Sequence, residues 1–176
     1  LNLEWFTPTF WKFVLMNSMK IGAIKELPSN NNSPSYIPYN DRFIMGGNGI
    51  PYGNVLRGYD DNRVGPLTST GNPIGGNTLV KFSTEFRVPF AENPVVYGMV
   101  FAEMGNVWSS TDLMERLSLP RSGPLDLKRS VGVGVRFFMP MIGMLGFDFA
   151  RGFDRIDING KLKPEWKTTL TFGQQF

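Results

Sequence analysis

The densest run of reactive side chains is Val55-Leu56-Arg57-Gly58-Tyr59-Asp60-Asp61-Asn62-Arg63-Val64-Gly65-Pro66. Two guanidiniums, two carboxylates and a phenol crowd between turn-forming residues. A loop that only solubilises a protein does not need that mixture. Adjacent acids such as Asp60 and Asp61 can form an acid pair for proton transfer, provided their environments split their pKa values. Aspartates among Gly, Pro and Asn more often cap a turn through their own backbone, and that is the expectation here. The chain has no His and no Cys. The commonest general base and metal ligand are therefore missing, together with thiol and disulfide chemistry. Two other stretches fail as sites. Asp154-Arg155-Ile156-Asp157-Ile158-Asn159-Gly160 lacks the spacing and terminal Glu of a calcium loop, and reads as a hairpin loop with an Asn-Gly turn. Gly46-Gly47-Asn48-Gly49 lacks the GK[ST] and the following helix of a phosphate loop. No catalytic residue, metal site or cofactor motif is expected in these stretches.

The elements that hold this run are strands. At 176 residues the chain could form one ordinary domain. Aromatic residues reach 14% and charge only 19%, with 20 Gly and 15 Phe. That balance is common in sheets that face lipid. The net charge of +3 comes without a dense Lys/Arg cluster, which argues against a nucleic-acid partner. The most apolar stretch, Val131 to Phe149, is interrupted by Arg136, Pro140, Asp148 and four glycines. A membrane helix needs about 20 apolar residues and tolerates Pro and Gly poorly. Two strands joined by a turn at Met139–Gly143 fit better.

Alternation recurs along the chain. Val80, Phe82, Phe86, Val88 and Phe90 oppose Lys81, Ser83, Glu85 and Arg87. Val131, Val133, Val135 and Phe137 oppose Ser130, Gly132, Gly134 and Arg136. Leu145, Phe147 and Phe149 oppose Gly146, Asp148 and Ala150. Phe13, Leu15, Met19 and Ile21 oppose Lys12, Ser18 and Lys20. A soluble sandwich would bury the apolar face and wet the charged one. A transmembrane barrel does the reverse. Periodicity alone does not separate the two. Three features favour the barrel. The strands run to about 10–14 residues, against roughly 5–6 in soluble sheets and about 9–11 in membranes. Aromatics gather at strand ends: Trp5, Phe10, Trp11, Phe90, Trp108, Phe153, Trp166 and Phe176. Short connections (91–93, 140–142) alternate with long ones (28–76, 109–128, 154–163), as in bacterial barrels.

The expected strands are Leu1–Thr7, Lys12–Glu26, Asn77–Phe90, Pro94–Val107, Arg129–Met139, Ile142–Phe153 and Trp166–Phe176. Seven strands would leave open edges, which lipid does not tolerate. The expectation is therefore a portion of a larger barrel, with strands upstream of Leu1. In the last strand Trp166, Leu170, Phe172 and Phe176 share one face. Gly173 there weakens pairing and permits a kink.

Several motifs, in order, carry a resemblance. They are Phe43-Ile44-Met45-Gly46-Gly47, Leu56-Arg57-Gly58-Tyr59, Gly65-Pro66, Gly75-Gly76-Asn77, Phe101-Ala102-Glu103-Met104-Gly105-Asn106-Val107-Trp108 and Phe172-Gly173-Gln174-Gln175-Phe176. The chain from about residue 10 to its end resembles the C-terminal part of the BamA family, outer-membrane protein assembly factors. The Arg-Gly-aromatic tripeptide alone is weak; its place before a Gly-Gly-Asn strand start and a Met-Gly-x-Val-Trp strand is specific. The resemblance implies an all-β fold, an antiparallel transmembrane barrel of about sixteen strands, in line with the even counts of bacterial barrels. Residues 1–176 would be its C-terminal half, with 28–76 an extracellular loop folding into the lumen. The other strands and the periplasmic POTRA domains would lie outside this chain. The resemblance further implies a loop-to-lumen brace at Arg57, Gly58, Tyr59, Phe101 and Glu103. Tyr59 stands where the family usually has Phe, and Glu103 where it usually has Asp. It places a lateral gate at the last strand, at Phe172, Gly173 and Phe176. The implied function is folding and inserting barrel proteins in the bacterial outer membrane. The implied partners are unfolded outer-membrane proteins, outer-membrane lipid and accessory lipoproteins. Alternatives are a TamA-like factor or two-partner-secretion transporter of the same superfamily, an unrelated porin or channel, and a barrel enzyme.

Overall fold

The computed structural model describes residues 1–25, 37–49, 53–110, 123, 125–141, 143–156 and 161–172, the last with backbone only. Seven strands form one antiparallel sheet in chain order. They are β1 (Asn2–Pro8), β2 (Val14–Ala23), β3 (Thr78–Glu92), β4 (Val95–Trp108), β5 (Lys128–Met139), β6 (Gly143–Gly152) and β7 (Trp166–Phe172). These match the expected strands to within a few residues, except that residues 173–176 of the last expected strand lie outside the described residues. β2 starts at Val14 because Thr9–Phe13 is spent on a turn. The Thr9 N–H donates to the Phe13 carbonyl (3.0 Å) and the Phe13 N–H to the Phe10 carbonyl (3.3 Å). β3 runs past Phe90 to Glu92 through a register shift between Pro89 and Ala91. Proline has no N–H to give the ladder, which suits it to such an irregularity.

Burial along the strands is inverted relative to a soluble sheet. Val133 on the apolar face of β5 is 50% exposed, while Asp148 on the opposite side of the sheet is 1% exposed. Ser130, Gly132, Gly134 and Arg136 are buried, and Val131 and Val135 are exposed. Exposed apolar side chains that cost free energy in water are at home against acyl chains. The polar face is covered by the long segment between β2 and β3, here called the β2–β3 loop.

That loop carries its own small core. Met45, Leu56, Tyr59 and Val64 pack together on Leu79 of β3 and Val107 of β4, with Phe43 at the margin. Isolated bridges shape it: Met45 with Asn54 and Val64, Gly47 with Leu56, and Phe43 with Gly76. The loop is thus a folded unit seated on the sheet, and its tip is aimed by packing.

Strand register sets what the tip meets. One row across the sheet reads Met16, Glu85, Phe101, Gly132, Ala150 and Lys167 on β2 through β7. The next row holds Ser18, Ser83, Glu103, Ser130 and Gly152. Side chains two residues apart on a strand share a face, so both rows point toward the loop.

Candidate functional site

Arg57 is the centre of the site and is 3% exposed. Its Nη2 donates to Glu85 Oε1 at 2.6 Å and to Glu103 Oε1 at 2.8 Å. Its backbone N–H donates to Glu103 Oε2 at 2.9 Å. Nη1 lies 3.7 Å from Asp148 Oδ1 and 3.8 Å from the Met99 sulfur. The guanidinium carbon sits 3.5 Å from the centre of the Phe101 ring. Nε is buried without a hydrogen-bond partner, as a guanidinium stacked flat on a ring permits. Phe101 finds room because Gly132 stands opposite it; a Cβ at Gly132 would lie 2.6 Å from the ring. The expected group of Arg57, Phe101 and Glu103 is therefore one contact.

Four cations and three carboxylates make up the network. Lys81 reaches Glu103 at 3.1 Å, Arg87 reaches Glu85 at 2.7 Å, and Arg136 grips Asp148 with two bonds of 2.8 Å. Burying a charge is costly unless it is paired and hydrogen-bonded, and here each carboxylate has at least two cations. Burial by itself would lower the Arg57 pKa, but Glu103, Glu85 and Asp148 outweigh it and hold the group above its ordinary value. Arg57 stays charged.

Gly58 and Tyr59 complete the seat. Gly58 has φ +86°, and a Cβ there would meet the Gly152 backbone N at 2.8 Å. Gly152 in turn leaves no room for a Cβ, which would lie 2.7 Å from the Gly58 carbonyl. Two glycines let the loop backbone touch the end of β6 directly. The Tyr59 hydroxyl donates to the Arg129 carbonyl (2.7 Å) and accepts from the Asp154 N–H (3.3 Å). A phenylalanine could do neither. Burial pushes the Tyr59 pKa up, so the hydroxyl keeps its proton.

Asp60 departs from expectation. Rather than only capping a turn, its carboxylate accepts from Arg155 Nε (3.0 Å) and Nη2 (3.2 Å) and from Lys167 Nζ on β7. Asp61 accepts from the Asn48 N–H at 3.0 Å and so does fasten the loop to itself. The two acids serve different partners and do not form a proton-sharing pair.

The matched family is the Omp85 superfamily domain, over residues 1–176. The chain belongs to the Omp85 superfamily. Its fold is therefore an antiparallel transmembrane β-barrel of the outer-membrane kind, and the seven strands are a portion of it. A solved structure of similar fold is that of BamA from Haemophilus ducreyi lacking POTRA domains 1-3. The TM-score is 0.68 at 19% identity, over 97% of this chain and 34% of that one. The chain thus spans about a third of the length of that structure. Arg57, Gly58, Tyr59, Phe101 and Glu103 come together on the loop-covered face of the sheet.

Alternation in the sequence put Ser83, Glu85 and Asp148 on that face without linking them to Arg57. Their spacing along the chain holds no such information; the register does. Met99 and Gly152 carry no signal in the sequence, and neither Arg155, in the stretch weighed as a calcium loop, nor Lys167, in the last strand, is linked there to Asp60. Of the expected gate residues, Phe172 pairs with Leu145 of β6. Gly173 and Phe176 lie outside the described residues, as does the expected Asn159-Gly160 turn.

Proposed function

We propose that this chain is the C-terminal half of an outer-membrane assembly factor. The full barrel folds and inserts β-barrel proteins in the bacterial outer membrane through a seam beside its last strand. One observation carries the reading beyond family membership: the folded loop seated on the lumen face by Arg57, Phe101 and Glu103. A loop seated in this way takes up lumen space, which suits work at the barrel wall better than conduction through its centre. At the seam, a strand edge offers unpaired N–H and C=O groups to an incoming strand by β-augmentation. The exposed apolar belt contacts lipid, and a belt shorter than the bilayer thins the membrane locally. Residues 28–76 are the extracellular loop in this orientation. The partners are unfolded outer-membrane proteins, outer-membrane lipid and accessory assembly lipoproteins. The chemistry is non-covalent and needs no cofactor.

The test is reconstitution. The full-length protein that carries this chain is placed in liposomes and given an urea-unfolded barrel substrate. The substrate should become heat-modifiable and protease-resistant faster than in empty liposomes. Steady ion conductance with no gain in substrate folding would instead make it a channel or secretion pore.

A further inference from the structure

We propose that Asp60 ties the loop tip to β7 and so sets how readily that strand parts from the sheet. The consequence for substrate entry rests on the insertion reading above; the tie itself does not.

Consecutive tip residues contact several strands of the sheet. Arg57 engages Glu85 of β3, Glu103 of β4 and Asp148 of β6. Gly58 lies on Gly152 at the end of β6. Tyr59 holds the Arg129 carbonyl of β5. Asp60 reaches Lys167 of β7 and Arg155 just beyond β6. The first contacts brace strands that already have neighbours on both sides. The last one lands on a strand whose ladder partner, among the described residues, is β6 alone.

The tie is built at one end of β7. Arg155, held by Asp60, also bonds Glu165 (3.2 Å), and Glu165 bonds Lys163 (2.9 Å). The Lys163 N–H donates to the Arg155 carbonyl at 2.8 Å. On the other face Trp166 stacks on Phe149, ring centres 4.7 Å apart and planes 8° from parallel. Residues 165–167 are thus clamped from both faces. Farther along β7 the Thr171 hydroxyl donates to the Gly146 carbonyl at 3.4 Å. Among the described residues, the tie between loop tip and β7 thus sits at Trp166–Lys167. Asp60 is a positioning residue: it acts on an incoming chain only through β7.

Exposed ion pairs are often energetically silent. This one differs in having a single carboxylate shared by two cations, with side chains 29% (Asp60), 16% (Arg155) and 32% (Lys167) exposed. Hydrogen exchange decides. The full-length protein in nanodiscs is compared with Asp60→Asn, Lys167→Gln and the double variant, following peptides that cover 161–172 and those of β3 and β4. Each single variant should raise exchange in 161–172 by about tenfold, the size of a local opening set by a few contacts. The double variant should do no more than Asp60→Asn alone, because the Lys167 pairing is already lost with the carboxylate. Raising salt should narrow the gap between parent and variants. Exchange in 161–172 within twofold of the parent would overturn the tie. So would a variant that speeds β3 and β4 equally, since that is general loosening. If Asp60→Asn fails to fold, Lys167→Gln alone carries the same two outcomes. Substrate folding is assayed separately on the same proteins. Faster exchange with unchanged folding keeps the tie and refutes the role of the seam; unchanged exchange refutes the tie whatever folding does.

Discussion

Replacing Arg57 with alanine is the sharpest perturbation of the site. The side chain is almost fully buried, so little of its interaction is screened. Truncation leaves Glu85 and Glu103 buried with one cation fewer each. Breaking a buried pair from one side costs about 3–5 kcal/mol. The lower figure applies, because Lys81 stays on Glu103 and Arg87 stays on Glu85. The lost stacking on Phe101 adds about 0.5–1 kcal/mol. Some of this is recovered by water entering the space. A net loss of about 3 kcal/mol shifts the equilibrium between seated and released loop by roughly a hundredfold. Limited proteolysis reads that equilibrium when opening is fast relative to cleavage. The full-length Arg57→Ala protein should be cut between residues 37 and 76 about 100 times faster than the parent. Arg57→Lys should fall between, because an ammonium keeps the charge but loses the fork and the flat face. Cleavage of Arg57→Ala within threefold of the parent would show that loop packing on Leu79 and Val107, not the ion network, seats the tip.

Other outcomes follow from the same geometry. Tyr59→Phe removes the hydroxyl that holds the Arg129 carbonyl and should cost about 1 kcal/mol, read as roughly fivefold faster loop cleavage. Gly58→Ala meets both a positive φ and the Gly152 backbone, and should cost at least about 2 kcal/mol by the same assay. Glu103→Asp is one methylene short of serving the Arg57 N–H and Nη2 together, and should cost about 1.5 kcal/mol through the lost charge-assisted bond. The Asp60 carboxyl gives a pH signature. Burial would raise its pKa, but Lys167 and Arg155 prevail and hold it below the ordinary 3.8. A depressed carboxylate contributes stability that is full above its unfolded value and fades as pH falls through the folded one. The difference between parent and Asp60→Asn in loop cleavage or strand exchange should persist from neutral pH to about pH 4 and close below it.

Much of the architecture was legible along the chain because strands in lipid obey a simple rule. Alternation of period two shows which side chains share a face, and it placed the strands within a few residues of their observed limits, the end of the last one lying outside the described residues. It did not show which face was buried. Val131, Val133 and Val135 would make an equally good soluble core. The covering of Ser130, Gly132 and Gly134 by contacts from distant segments settled that point. The brace was half legible. Arg57, Gly58, Tyr59, Phe101 and Glu103 stood out through the order of motifs. Their partners Glu85 and Asp148 were visible only as charges on a common face.

The sequence by itself determined periodicity and the absence of His and Cys, since these are properties of neighbours along the chain. Only the tertiary structure decided what Asp60 does. Its partners Arg155 and Lys167 lie 95 and 107 residues away, brought within reach by the registers of β5 on β6 and of β6 on β7. A pairing across a sheet is set by the sum of every register between the two strands, and no local pattern encodes that sum.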